Sequence, residues 1–207
     1  MKRSMVGILS AVAMFMGMAV PAIAEGEAGK TTLDNLQAAF NGESNAKARY
    51  EAFAAKADEE GYKSVAVLFR AASKSESIHA ASHAETIKKL GAEPKAAIEK
   101  ADVKSTKENL EAAIKGETYE KDSMYPAFIK QAEAEKIPDA VTTFKRAMGA
   151  EIEHAKLYSQ ALKDMDSWKA AGKEFLVCPV CGFTTMDMSL KICPVSSTPR
   201  SKFVVVK

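Results

Sequence analysis

Across residues 31–166 apolar positions recur every three to four residues in four long stretches, the period of helices buried on one side. Ala, Glu, Lys and Leu dominate these stretches and the strand signal is poor, so four helices are expected. The first stripe carries Leu33, Leu36, Phe40, Glu43, Tyr50 and Ala54, and the second Val65, Phe69, Ala72, Glu76, His79, Ile87 and Leu90. The third carries Leu110, Ile114, Glu117, Glu120, Met124 and Phe128, and the fourth Val141, Phe144, Met148, Glu151, His154, Tyr158 and Leu162. Gly61 and Gly91 suit C-terminal stops, Ser105-Thr106-Lys107-Glu108 fits a capping box, and Pro138 suits a first helical turn.

The second and third stretches are separated by 13 residues, 92–104. A loop between neighbouring helices needs only about two to eight. A helix of about 28 residues is about 42 Å long, and 13 extended residues reach about 43 Å. The segment can therefore cross the whole bundle and set two helical hairpins antiparallel to one another.

Each stripe is interrupted at its centre by acid, where a core residue belongs. The interruptions repeat: Glu76 and His79 form a Glu-x-x-His pair that recurs as Glu151 and His154, 75 positions later. Residues i and i+3 share a helix face, so each pair presents a carboxylate and an imidazole to one point. The surroundings repeat too, with Asn35-Leu36-Gln37-Ala38-Ala39 against Asn109-Leu110-Glu111-Ala112-Ala113, and Phe69 and Ala72 against Phe144 and Ala147. Five carboxylates (Glu43, Glu76, Glu117, Glu120, Glu151) gathered in a core cost several kcal/mol each when uncompensated, and close like charges force protonation. Two divalent cations, with two neutral imidazoles as further ligands, remove most of that penalty. His83 lies one turn beyond His79; its counterpart in the repeat is Tyr158, and it reads as a packing or polar edge residue.

Outside the bundle, residues 1–24 have the layout of a secretory signal peptide: Lys2 and Arg3, an apolar run over residues 5–20, and an Ala22-Ile23-Ala24 cleavage site. The formal charge of +2 falls to zero once Lys2 and Arg3 are removed. No basic stripe is visible, which argues against nucleic acid as a partner. An exported, periplasmic setting is expected, with no membrane association after cleavage. All three cysteines lie in the last 30 residues, and an odd count argues against a pure disulfide framework. After Trp168 the composition shifts to Gly and Pro, and residues 202–206 read as a strand.

Asn41-Gly42-Glu43-Ser44, Gly116-Glu117-Thr118-Tyr119-Glu120, Met124-Tyr125-Pro126 and the cysteine-bearing tail give the chain a resemblance to the rubrerythrin family, from about residue 31 to 206. The pattern of one Glu from each of two helices and Glu-x-x-His from the other two is that of ferritin-like di-iron carboxylate bundles. The resemblance implies an all-α, ferritin-like four-helix bundle over residues 25–170 with a long crossover. A small rubredoxin-like knuckle with short strands would follow over residues 171–207. It implies that Glu76 and Glu151 bridge two irons, that Glu43 and Glu117 are terminal ligands, that His154 completes the second iron, and that His79 and Glu120 alternate at the first. Tyr50 and Tyr125 match tyrosines that hydrogen-bond the ligand carboxylates.

Cys178-Pro179-Val180-Cys181 and Cys193-Pro194-Val195-Ser196 resemble the two loops of a rubredoxin-like iron knuckle, with Ser196 in the fourth ligand position. The serine leaves open an iron held through an alkoxide or water, a zinc, no metal, or a Cys178–Cys181 disulfide. The activity implied is a peroxidase that reduces hydrogen peroxide to water in oxidative-stress defence, re-reduced by an unidentified electron donor, in a homodimer. The alternative is a ferritin-like protein that oxidises and holds iron, or senses peroxide.

Overall fold

The computed structural model describes residues 31–207. The expected signal peptide lies outside them. Helix α1 (Thr32–Glu59) starts on a capping box in which the Asp34 amide donates to Thr31 Oγ1 at 3.2 Å and the Thr31 amide donates to Asp34. Gly61, at φ +82°, turns the chain into α2 (Lys63–Lys89), and Gly91, at φ +80°, ends α2. Both are left-handed positions that glycine adopts without strain.

The crossover, residues 92–104, has no helix or strand of its own. Its backbone is instead paired by three side-chain amides of α1 spaced four apart on one face. Gln37 donates to Glu93 O (2.7 Å) and accepts from Lys95 N (3.1 Å); Asn41 accepts from Ala97 N (2.8 Å); Asn45 accepts from Glu99 N (2.8 Å). α1 thus acts as a ladder for an extended segment whose polar backbone needs partners.

Helix α3 (Thr106–Tyr119) begins on the expected Ser105–Glu108 capping box. Its Thr106 amide also reaches Glu60 Oε2 at 2.8 Å, at the far end of α1. One π-helical turn, Glu120–Met124, then leads into α4 (Tyr125–Ala134). Within that turn the Tyr125 amide bonds to Glu120 O, five residues back. Pro126 has no N–H and its ring would strike the carbonyl four residues earlier, so widening the ladder here relieves a clash an ordinary α-turn would contain. The Thr32 amide donates to Glu135 Oε2 (3.0 Å), just past α4. These contacts at opposite ends fix α1 antiparallel to the α3–α4 rod. Helix α5 (Pro138–Lys163) completes the four-helix bundle.

Two buried apolar clusters sit above and below the bundle's middle. One gathers Tyr50, Phe53, Phe69, Leu110 and Tyr158, the other Leu36, Ile87, Phe128 and Phe144. The acids occupy the layer between them. Among the described residues, no helix is long and apolar enough to cross a membrane.

Beyond α5, Trp168 packs on Phe175 with ring centroids 6.2 Å apart, pinning the tail to the bundle. Three short antiparallel strands follow, β1 (Phe175–Val177), β2 (Thr184–Thr185) and β3 (Val204–Val206), in the order β2-β1-β3. The strand expected over 202–206 is shorter, because residues 200–202 form a 3-10 turn. Leu176, Cys178, Cys181, Phe183, Cys193 and Phe203 make the knuckle's own small core.

Candidate metal centre

Glu43 from α1, Glu76 and His79 from α2, and Glu151 from α5 bring one ligand atom each to within 4.8 Å of one another. Glu76, Glu117 from α3, Glu151 and His154 do the same a step further along. Glu76 and Glu151 belong to both sets. All six side chains are buried, at 2 % exposure or less.

His79 Nδ1 bonds directly to Glu76 Oε2 at 2.8 Å, but most of the other donor atoms face shared points without bonding one another. Glu151 Oε2 stands 2.8 Å from His154 Nδ1, yet neither atom has a properly directed hydrogen bond. Glu43 Oε2, Glu76 Oε1, Glu117 Oε2 and Glu151 Oε1 are orphaned in the same way. Two ligands about 2.1 Å from one cation, at right angles, lie about 3 Å apart. Orphaned buried oxygens are rare in folded proteins, and here they cluster at two points. The residues fit two cations.

Protonation follows the same logic. Burial, then repulsion from Glu76 and Glu151, pushes Glu43 well above the usual carboxylate range. Burial, then Glu151 and Glu76, raises Glu117 to about 8. For Glu76 burial works upward as well, but the imidazoles of His154 and His79 close beside it overcome it and hold the carboxyl at about 2. Burial alone would lower His79 and His154; Glu151 and the other acids raise both well above the ordinary imidazole value. Without cations the cage collects protons where cations would sit.

Each histidine is oriented by the knuckle. His79 Nε2 lies 3.0 Å from the Cys181 carbonyl, and His154 Nε2 lies 3.2 Å from Thr184 Oγ1. Thr184 spends its own proton on Gly182 O (2.8 Å), so it accepts from His154. These Nε2 contacts hold a proton on Nε2 of both rings, so that Nδ1, which faces the carboxylates, is the nitrogen that would give up its proton to a cation. Ser75 Oγ donates to Gly182 O at 2.8 Å. Gly182 (φ +74°) lies so close that any side chain there would collide with Ser75 and His79. Gly149 on α5 seats the other knuckle loop: a Cβ there would stand 2.9 Å from both Val195 methyls.

Behind the carboxylates stand tyrosines. Tyr50 donates to Glu117 Oε1 at 2.5 Å, and Tyr125 donates to Glu43 Oε1. Burial, then the neighbouring acid, raises both phenols well above their ordinary value, so both keep their protons. Glu120, on the π-turn, is in neither four-residue set. Burial, then repulsion from Glu43 and Glu117, raises its carboxyl well above the usual range, so it lies within the field of the acids without joining them. In this structure His79, and not Glu120, stands in the first set.

His83 is a packed residue and not an edge one. It is fully buried, with Nε2 3.2 Å from Tyr125 Oη and Nδ1 3.1 Å from Thr143 Oγ1. Burial, then the charge of His79, lowers it to about 3, so it is neutral. Sequence reasoning gave no role to Ser75, Thr143 or Thr184. Ser75 shares the face of His79 at i−4, a signal that was available; the others are brought in only by the tertiary fold.

In the knuckle the three thiols are unpaired and buried. Cys181 Sγ and Cys193 Sγ are 3.4 Å apart, and Cys178 Sγ is 3.3 Å from Ser196 Oγ, which also meets Thr198 Oγ1 at 2.8 Å. One ligand atom from each cysteine falls within 4.8 Å of the others, a three-thiolate set with Ser196 at the fourth corner. Hydrogen bonding from Cys181, then from Ser196, offsets burial and lowers Cys178 to about 4, leaving a thiolate for a cation.

Residues 34–162, the helices that carry every acid and histidine above, match the rubrerythrin family model. The chain is 37% identical to nigerythrin of Nitratidesulfovibrio vulgaris over 176 residues, covering 84% of this chain and 85% of that protein. It is 36% identical to rubrerythrin-2 of Clostridium acetobutylicum over 176 residues, covering 83% and 95%. The structure of fully reduced, all-ferrous nigerythrin superposes with a TM-score of 0.81 at 35% identity, over 88% of this chain and 91% of that one. The bacterioferritin of Desulfovibrio desulfuricans shares the fold at 22% identity and a TM-score of 0.61, over 67% and 81%. The chain belongs to the rubrerythrin family and is a ferritin-like di-iron oxidoreductase.

Proposed function

We propose that this protein is a peroxidase that reduces hydrogen peroxide to water, taking up two electrons and two protons per peroxide. Bound as ferrous ions, the two metals would supply one electron each, which matches the cleavage of one O–O bond, and would polarise that bond. Glu43, Glu76, His79, Glu117, Glu151 and His154 would hold the cations, Glu76 and Glu151 belonging to both sets of ligand atoms. Tyr50 and Tyr125 keep Glu117 and Glu43 aimed. Glu120 is the anionic alternative to His79, suited to the harder ferric ion. The two apolar clusters close the chamber to bulk water and keep the electrostatics strong.

The observation that carries this reading is the hydrogen bond from His79 Nε2 to the Cys181 carbonyl (3.0 Å). It joins a cysteine of the knuckle to a ligand of the centre through a few covalent bonds and one hydrogen bond. An iron store has no need of such an entry for electrons; an enzyme that must be re-reduced after every turnover does. An external donor docking at the knuckle, an exported periplasmic setting and a homodimer complete the proposal. Ser196 favours a second reading: with a thiolate replaced by a hydroxyl the knuckle is a poorer relay, and the bundle would oxidise and hold iron, or sense peroxide, instead.

Anaerobic loading with Fe²⁺ followed by rapid mixing with peroxide or oxygen separates the two. Much faster growth of ferric absorbance with peroxide is expected. Oxygen-driven uptake of many irons per chain would overturn the peroxidase in favour of storage.

A further inference from the structure

His83 is a buried, chemically capable group that the ligand set does not use. We propose that His83, fixed by Thr143, is a positioning residue that makes Tyr125 an obligate hydrogen-bond donor to Glu43. The inference rests on the peroxidase reading and deepens it, because it sets how one half of the centre is held.

The argument is one of counting protons. Tyr125 has a single hydroxyl proton, and it goes to Glu43 Oε1. Toward His83 Nε2, 3.2 Å away, the phenol oxygen can then act only as acceptor, so Nε2 carries the ring proton. A neutral imidazole protonated at Nε2 has a bare lone pair at Nδ1, and Thr143 Oγ1 stands 3.1 Å from it with a hydroxyl to donate. The chain therefore has one consistent direction: Thr143 to His83 to Tyr125 to Glu43. It crosses four helices, α5, α2, the start of α4, and α1. Every bond in such a chain polarises the next, so the last donor is stronger than an isolated phenol.

Without His83 the phenol oxygen would be a buried acceptor with nothing to hold it, and Tyr125 could turn its proton away from the ligand. The other half uses a different group: a hydroxyl stands where the first half has an imidazole. There the repeat places Tyr158, whose ring packs against Tyr50 at 5.6 Å between centroids and offers no ring N–H.

The test uses the full chain. In the zinc-loaded, diamagnetic protein, ¹⁵N NMR of the histidines should show His83 protonated at Nε2 and bare at Nδ1; an Nδ1–H tautomer would overturn the proposal, since Tyr125 would then donate to the ring instead of to Glu43. In the iron-loaded protein, His83→Phe should slow peroxide-driven oxidation about tenfold, within the roughly 10–100-fold typical of groups that orient metal ligands, with KM for peroxide unchanged. His83→Gln should restore most of the rate, because its side-chain amide can donate to the phenol oxygen from nearly the same place. Equal impairment in both variants, each folded and holding two metals, would overturn the inference. Should His83→Phe not fold, Thr143→Val removes only the group that fixes the tautomer; it should slow oxidation severalfold, and a wild-type rate would count against the chain. Failure of the peroxidase reading looks different: the wild type itself would react no faster with peroxide than with oxygen, while the tautomer would still be read from the zinc form.

Discussion

The two halves of the metal centre descend from one repeat, hold the same ligand types, and differ in what stands behind the ligands. The first half has Glu43 and His79, a tyrosine (Tyr125) backed by an imidazole, and a histidine held by a backbone carbonyl of the knuckle. The second has Glu117 and His154, a tyrosine (Tyr50) backed by another tyrosine, and a histidine held by a threonine hydroxyl. The extra acid, Glu120, has Glu43 as its strongest repelling neighbour. Two cations need two matching cradles, which keeps the ligands in step; nothing keeps their supports in step. The divergence behind the ligands is therefore where chemistry rather than metal retention is expressed, and it gathers on the first half.

The largest effects should come from the residues that belong to both halves. Glu151→Ala removes a ligand from each set and leaves Glu76 alone to serve two cations, so iron content should fall from two per chain to below one, measured by metal analysis after desalting. Glu43→Ala or Glu117→Ala should each spare the opposite half and leave about one. Loss of both metals from Glu43→Ala would show that the halves cannot be occupied separately, and the comparison would break.

Removing the metals altogether should expose the proton cage. Between pH 7 and 9 His83, lowered to about 3, is neutral in the folded state and mostly neutral in the unfolded chain, so it contributes little slope. Glu117, raised to about 8, keeps its proton in the folded state where the unfolded chain has lost it, and Glu43, Glu120, His79 and His154 are all shifted upward as well. The folded metal-free protein then binds more protons than the unfolded chain, so its stability falls as pH rises, by up to about 1.4 kcal/mol per unit for each group still protonated. Urea denaturation at pH 7, 8 and 9 should show a steep decline for the metal-free form and little for the loaded one, whose ligands have already given up their protons.

The sequence made the ligands legible because each breaks a helical stripe at its centre, and a charge in a core position has few explanations. It made the crossover legible through length alone. It did not show the ladder of Gln37, Asn41 and Asn45 that receives the crossover, since polar residues on a helix look the same whether they face water or a backbone. The π-turn at Glu120 was hidden for a related reason: Pro126 reads as a break or a first turn, and only the continuous α3–α4 rod reveals a widened ladder. Of the two readings of His83 the structure bears out packing and not a polar edge; its hydrogen-bond partners, Tyr125 and Thr143, lie 42 and 60 positions away, and no local pattern joins them. The supports of a site come from the tertiary fold; its ligands come from the periodicity.

The tyrosines sharpen the comparison at smaller amplitude. Tyr125→Phe and Tyr50→Phe each remove one hydrogen bond to a terminal carboxylate, a change typically worth about 10–100-fold in metal affinity or activity. If the first half is the more elaborately supported one, Tyr125→Phe should fall nearer the top of that range and Tyr50→Phe nearer the bottom, in rapid-mixing measurements of peroxide-driven oxidation. Equal losses would mean that His83 adds nothing to the tyrosine in front of it.

The smallest effect should come from the seat of the knuckle. Gly182 lies over the first half, where a side chain would strike His79 itself; Gly149 lies on α5, where a methyl would meet only the two methyls of Val195 at 2.9 Å. Overpacking of this kind costs about 1–3 kcal/mol, and Val195, half-buried, can give way, so Gly149→Ala belongs at the low end. It should lower the melting temperature by a few degrees and slow reduction of the ferric centre through the knuckle. The single oxidation by peroxide should be unchanged, because no ligand has moved. Adding Val195→Ala removes the obstructing methyls and should restore the rate of reduction. A rate that stays slow in the double variant would place the disturbance in α5 rather than at the seat, and a single oxidation that slows as well would show that the knuckle supports the ligands it touches on both halves, not only the proposed path for electrons to His79.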